Sequence, residues 1–416
     1  MNNKMTMTFM AIFTSIGVGA QETELKSDGH NHPEHNMANT YLKNENSDLK
    51  SGSNRHTDGG KLDSFLGMEE YFKVSGVLGV YSQTMDDQDA NIDRDEFSNL
   101  YGSLHLETVE WEGFRFGLTG LFNQELNDHN DNYGDYYNQK KAILSEAFLK
   151  YNYEQTEFTL GRQGVDWLML GDYFEGVFIE SEAIENFLIR AAWVQKGAVL
   201  DPDEVIDYTD LNDSDGVYGT EITYTGIDGL AVTGLYYHAP DAYDIFGGEV
   251  FLENEITEDF SNAFLVQYFV TDEKESYDDY PGGDGSIIHI NNTVTYRNLS
   301  VGAGYIEADE DGGAGSMLNN PWDPFDEDTH TDRPNASTWY VQAEYAVTDD
   351  LTLMTIYGES DTDEGNGDAK FKEFDIGLAY QLREDVMVEA TYVHLTTTDD
   401  ADEGFDKLWL NVTYAF

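Results

Sequence analysis

The chain has 416 residues, with 81 Asp plus Glu against 22 Lys plus Arg, a formal net charge of −59, and no Cys. Such a charge repels a phosphate backbone and excludes a nucleic-acid partner, and the lack of Cys excludes disulfide scaffolds, thiolate metal sites and thiol catalysis. A hydrophobic share of 40% argues against a helical membrane protein, and an aromatic share of 13% against a disordered acidic chain.

Residues 1–20 carry one cation, Lys4, then an uncharged run over Met5–Val18 that ends in Val18-Gly19-Ala20. A positive start, an apolar centre and a small-residue end read as a secretory signal peptide cleaved before Gln21. The alternative, a lone membrane anchor, is disfavoured because the apolar centre is short and rich in Thr and Ser. Residues 21–70 are polar and without period, which reads as a disordered tether. Within it His30, His32 and His35 lie close enough to take up a metal ion, but a preorganised site needs a rigid surround that a tether does not supply. A solvated tail is the favoured reading.

From Tyr71 the hydrophobic pattern has period two. In 405–416 one face carries Leu408, Leu410, Val412, Tyr414 and Phe416, and the other Lys407, Trp409, Asn411, Thr413 and Ala415. About ten alternating residues is the length a tilted strand needs to cross an outer membrane. Segments of this kind run over 71–82, 99–110, 113–123, 143–153, 156–163, 174–181, 186–195, 217–225 and 229–239. Nine more run over 244–257, 260–271, 287–297, 298–307, 337–348, 350–360, 371–382, 385–397 and 405–416. The predicted fold is all-β: a transmembrane antiparallel β-barrel of about 18 strands over 71–416, with 16 as the alternative count. The 174–181 strand carries the weakest pattern.

The connections divide into two kinds. Those at Trp111-Glu112, Glu154-Gln155, Gly226-Ile227-Asp228, Arg297-Asn298 and Glu384 are tight, whereas 83–98, 124–142, 196–216, 272–286, 308–336 and 361–370 are long and acidic. Short periplasmic turns facing long external loops are the layout of an outer-membrane barrel. Aromatic residues gather at both strand ends. Tyr151, Tyr153, Tyr224, Tyr296, Tyr345, Tyr380, Tyr414 and Phe416 mark the turn side, and Tyr81, Phe122, Trp193, Tyr236, Tyr268, Tyr305, Tyr357 and Tyr392 the loop side. A soluble sandwich or propeller explains the alternation but neither the aromatic rings nor the loop asymmetry.

The closing Tyr414-Ala415-Phe416 resembles the terminal signal read by the barrel assembly machinery. A narrower resemblance lies in Ala147-Phe148-Leu149-Lys150-Tyr151 followed by Thr159-Leu160-Gly161-Arg162-Gln163 and, after a short loop, Phe174-Glu175-Gly176. This pattern resembles the OprD-type (Opr family) outer-membrane porins of Gram-negative bacteria. The resemblance implies an 18-stranded barrel whose third external loop folds inward to narrow the pore. It further implies passage of small hydrophilic solutes, contact with outer-membrane lipid, and a monomer or homotrimer, both compatible with the sequence. The chain departs from the family pattern in having no Pro over Gly164–Tyr173 and in its long polar tether.

Strand parity puts Arg115, Lys150 and Arg190 on the lumen side, with Glu107, Glu146, Glu221, Glu344, Asp375 and Glu389. Asp166 and Asp172 fall on the candidate constriction loop. Basic wall residues facing acidic loop residues would set up a transverse field, and the acidic excess predicts cation selectivity. For any single residue, a solvated lumen charge is the blander reading. Acidic loop stretches such as Asp86-Asp87 and Asp309-Glu310-Asp311 have the chemistry to hold calcium loosely, but lack EF-hand spacing; no cofactor is implied. An enzyme built in a barrel is disfavoured, because His105, His238, His289 and His394 are scattered and accompany no nucleophile motif. A non-conducting adhesin or receptor is the remaining alternative.

Overall fold

The computed structural model describes residues 71–87, 95–129, 141–202, 204–274, 284–312, 319–327, 331–363, 368–397 and 404–416. The expected signal peptide, the tether and its three histidines lie outside the described residues. Period-two segments form strands throughout: β1 (Phe72–Asp87), β2 (Asp95–Thr108), β3 (Phe114–His129), β4 (Ala142–Tyr153), β5 (Thr156–Gly164), β6 (Tyr173–Ser181) and β7 (Phe187–Leu200). There follow β8 (Val205–Asp210), β9 (Val217–Ile227), β10 (Leu230–Ala239), β11 (Tyr243–Thr257), β12 (Phe260–Glu273), β13 (Gly285–Tyr296) and β14 (Leu299–Ala308). The last are β15 (Ser337–Thr348), β16 (Leu351–Asp363), β17 (Asp368–Arg383), β18 (Val386–Thr397) and β19 (Phe405–Ala415).

Each strand except β8 pairs antiparallel with its two sequence neighbours, β7 passing over β8 to pair with β9. The sheet closes where β1 meets β19, from Val77↔Ala415 to Asp87↔Phe405. The result is a closed barrel of 18 strands with one strand added, as the count of about 18 anticipated. Closure leaves no open edge, the condition for placing a sheet in hydrocarbon. Among the described residues no helix is long and apolar enough to cross a membrane.

Alternation sorts the side chains. In β19 Lys407, Trp409, Asn411 and Thr413 are buried while Leu408, Leu410 and Tyr414 are exposed. Leu104, Leu160 and Leu408 expose 53%, 57% and 51% of their surface. A continuous apolar face of this kind is explained by lipid, not water. The aromatic rings follow: Tyr153, Tyr296, Tyr345, Tyr380 and Tyr414 are exposed on the turn side, and Phe122, Tyr236, Tyr268, Tyr305 and Tyr392 on the loop side. Tyr81 is a correction. It is wholly buried, stacks between Phe97 and Trp409, and donates to Gln83 Oε1 at 2.9 Å. Its height along β1 suits the outer ring, but its parity puts it with Gly79 and Gln83 on the inner face, and parity decides.

The turn side is tight. Glu154 and Arg297 open two-residue hairpin turns at φ 52° and 55°, a conformation matched to the twist of the flanking strands. Gly226 and Ile227, expected in a turn, end β9 instead. The turn sits at Asp228-Gly229, where Gly229 has φ 70° and a Cβ would lie 2.2 Å from the Glu253 carbonyl oxygen. On the loop side the connection 240–242 is short, closed by a bond from Ala242 N to Ala239 O at 3.1 Å. The expected long loop at 196–216 is partly strand: β7 runs on to Leu200 and pairs with β8 in the register Leu200↔Val205 and Lys196↔Asp210.

Three of the loop-side connections pack inward. Val165, Trp167, Met169 and Leu170 of 165–172, together with Trp322 and Phe325 of 309–336, join Phe178, Tyr237, Ile245, Phe269, Ile287 and Tyr340 of the inner wall in one apolar cluster. A second cluster joins Leu200 and Val205 at the β7–β8 hairpin to Ile143 and Tyr173, with Tyr208 packed against it. Pro202 O of the same connection accepts from Asn99 Nδ2 at 3.3 Å.

Candidate functional site

The inner wall of β2–β5 carries a chain of charges. Arg115 on β3 and Lys150 on β4 are directly opposite in register, an arrangement that repels unless a third group intervenes. Glu157 supplies it, accepting from Arg115 Nη2 at 2.7 Å and from Lys150 Nζ at 2.8 Å. Arg115 Nη1 also donates to Glu107 Oε1 at 2.9 Å. Further along β2, His105 lies 3.4 Å from Glu107 and 3.4 Å from Glu146, and Thr119 donates to Glu146.

A second group lies on β6, β7 and β9. Arg190 sits in register between Glu180 and Glu221, its Nε donating to Glu180 Oε2 at 3.0 Å and its Nη1 3.7 Å from Glu221 Oε2. Glu221 is buried and accepts from Tyr237 Oη at 2.9 Å and from the Met169 N–H at 3.3 Å. That last bond ties loop 165–172 to the wall. The loop closes through bonds between Trp167 and Leu170 and from Val165 N to Asp172 O. Trp167 meets Phe178 edge-on, with the Arg190 guanidinium 5.7 Å from its ring centre.

The sequence-predicted residues therefore separate. Glu107, Arg115, Lys150 and Glu146 come together, as do Arg190 and Glu221. Asp375 lies far along β17 beneath loop 309–336, where its Oδ2 accepts from the Asp326 N–H at 3.1 Å. Glu389 Oε2 accepts from Asn411 Nδ2 at 3.3 Å, and Glu344 is half-buried on β15; both stand apart from the basic groups. Asp166 is exposed and Asp172 buried at the base of its loop. The loop also meets the basic wall through an aromatic contact, Trp167 against Arg190. This follows from the loop's own sequence, in which Val165, Trp167, Met169 and Leu170 bury themselves.

Glu157, Glu180, Trp167, Asp326, Glu327 and Glu373 carry no sequence signal of a site, and the sequence marks His105 only as a scattered histidine and Lys407 only as an inner-face residue of 405–416. Register was the usable signal for Glu180, directly opposite Arg190, and in part for Glu157, which lies one strand and two residues from Lys150 and two strands from Arg115. Nothing periodic marks Asp326 and Glu327, which lie in a loop. Among the described residues no group of three or more His, Asp or Glu is arranged to hold a metal ion.

A sequence model of the Gram-negative porin family matches residues 62–400. No curated protein matches the chain. Among solved structures the fold is similar to OccAB4 of Acinetobacter baumannii, at 16% identity over 83% of this chain and 98% of that one, with TM-score 0.71. It is similar to OpdO of Pseudomonas aeruginosa at 16% identity, over 84% and 97% of the two chains, with TM-score 0.71. A structure of P. aeruginosa OpdK with vanillate gives 15% identity, 84% and 99% coverage and TM-score 0.69. At these identities the likeness is one of fold. The resemblance to OprD-type porins is borne out at that level.

Proposed function

Because the chain belongs to the Gram-negative porin family, we propose that it is a cation-selective diffusion channel, narrowed where loop 165–172 packs against the inner wall. Membership makes it an outer-membrane channel for small hydrophilic solutes, in contact with outer-membrane lipid, and not an enzyme. The finer reading rests chiefly on one observation: Arg115, Lys150 and Arg190 are each bonded to wall carboxylates. In these two groups, with His105 counted as neutral, three cations face five carboxylates, Glu107, Glu146, Glu157, Glu180 and Glu221, so 3 − 5 leaves −2. A passing anion would have to displace a bound carboxylate, whereas a passing cation meets acceptors already in place.

The same reading keeps 1–20 as the export signal and the closing residues as the assembly signal. Tyr414 faces outward and stacks on Phe416, whose N–H and carbonyl both bond to Gly76 of β1. Assembly as a homotrimer and loose calcium binding at Asp309-Glu310-Asp311 belong to this proposal too. Bilayer recordings under a KCl gradient test it. The expected reversal potential has the sign of K⁺ preference; a Cl⁻ preference would sink the selectivity. Absence of any channel current would favour the adhesin or receptor alternative.

A further inference from the structure

Residues 319–327, in the connection between β14 and β15, pack on the inner side of widely separated strands. Trp322 packs on Phe269 of β12 with ring centres 5.6 Å apart, and Phe325 meets Tyr340 of β15 edge-on at 5.9 Å. Asn319 Nδ2 donates to Leu168 O at 2.9 Å, so this loop also braces loop 165–172. Beyond Phe325 the chain is tied to β17 and β19. The Asp326 N–H donates to Asp375 Oδ2 at 3.1 Å and the Glu327 N–H to Glu373 Oε1 at 2.8 Å. Trp409 Nε1 donates to Asp326 Oδ2 at 2.9 Å, and Lys407 Nζ pairs with Glu327 and lies 3.8 Å from Asp326 Oδ2. On the returning limb, the Arg333 guanidinium lies 5.3 Å from the centre of the Phe371 ring on β17.

We propose that Lys407 is a positioning residue for solute passage: its ammonium clasps Asp326 and Glu327 onto the Glu373–Asp375 wall and so holds residues 319–327 inside the lumen. The geometry shows how four carboxylates are brought together. The wall carboxylates accept from the loop's peptide N–H groups, which leaves the loop carboxylates facing β19. There the Lys407 ammonium and the Trp409 indole N–H meet them. Asp326, Glu373, Asp375 and Lys407 are all buried, so the attraction is little screened by salt. The same burial makes the loop's position depend on the charge at 407, because carboxylates facing carboxylates without that ammonium repel. The loop then has two arrangements, clasped and released, and the charge at 407 biases them. This concerns loop 309–336 and holds whether or not loop 165–172 narrows the channel or cations are preferred.

Single-channel recording of the purified full chain in planar bilayers tests it, with Lys407→Arg, Lys407→Glu and the swap Glu327→Lys/Lys407→Glu. Lys407→Arg should keep the quiet current of the parent. Lys407→Glu should populate a second, higher conductance level, the clasped-to-released ratio falling about 100-fold or more, the scale expected for a buried charge robbed of its partner. The swap restores one cation among the carboxylates and should return the quiet level. A parental current from Lys407→Glu would overturn the proposal. So would a disturbed current that the swap fails to restore, since that would mark a merely structural residue. Should Lys407→Glu fail to assemble, Asp326→Ala/Glu327→Ala removes the clasp from the loop alone. It should show the higher level, and a parental current there overturns the proposal equally.

Discussion

Two stretches of the same inner wall are held together differently. On β2–β9 the inward groups are charges in alternation: Glu107, Arg115, Glu157, Lys150, then Glu180, Arg190, Glu221. On β12–β15 they form a hydrogen-bonded chain. Gln267 Oε1 lies 2.8 Å from His289 Nδ1, His289 Nε2 lies 2.7 Å from Tyr340 Oη, and Asn291 Nδ2 donates to the same phenol oxygen at 2.8 Å. Both satisfy polar groups that lipid on the outer face cannot reach. The first stretch also fixes a local potential, whereas the second chiefly fixes shape. Charge substitutions on the first should therefore move ion selectivity, and substitutions on the second should move stability alone.

The largest expected effect is at Arg190. Replacing it by Met leaves Glu221, which is buried, without its guanidinium, and removing one partner of a buried pair costs about 3 kcal/mol or more. Chemical unfolding of the barrel in lipid vesicles should show this as a lower midpoint, accompanied by a stronger cation preference. An unchanged midpoint would mean that the Glu180–Arg190–Glu221 group is solvated, and the contrast between the two stretches would lose its energetic basis. Next comes Tyr340→Phe. It removes the oxygen shared by His289 and Asn291 and should cost about 1–3 kcal/mol. The reversal potential should stay where it was. A shift in selectivity from this uncharged change would break the comparison from the other side.

How much of this could be read from sequence depends on what repeats. Period two carried the 18 barrel strands, even β6, because a lipid-facing and a lumen-facing set must alternate wherever the chain crosses. It also sets the side of Arg115, Lys150 and Arg190. Height along a strand is a weaker signal than parity: Tyr81 has the height of the outer ring and the parity of the inner face, and it is buried inside. The β8 strand escaped because it pairs beyond the membrane, on an extension of β7 where no lipid imposes alternation. The packing of 165–172 and 309–336 escaped for the same reason. A loop that buries Trp167, Met169, Trp322 and Phe325 against distant strands leaves no periodic trace. Lys407 had the right face but no visible partner, since Asp326 and Glu327 reach it only through the fold.

The smallest effect is the most discriminating. Glu157 is the carboxylate between two opposed cations, so Glu157→Gln should keep the shape of the site and free Arg115 and Lys150 from their common partner. One unit charge at about 4 Å in water is worth about 1 kcal/mol, and the K⁺/Cl⁻ permeability ratio should accordingly fall about fivefold in a reversal-potential measurement. Glu107 still holds one guanidinium nitrogen of Arg115. The change should therefore weaken cation preference without turning the channel into an anion channel. A ratio that does not move would show that ions pass clear of β3–β5. The selectivity would then have to arise elsewhere on the wall, with the carboxylates of β17 and loop 309–336 next in line.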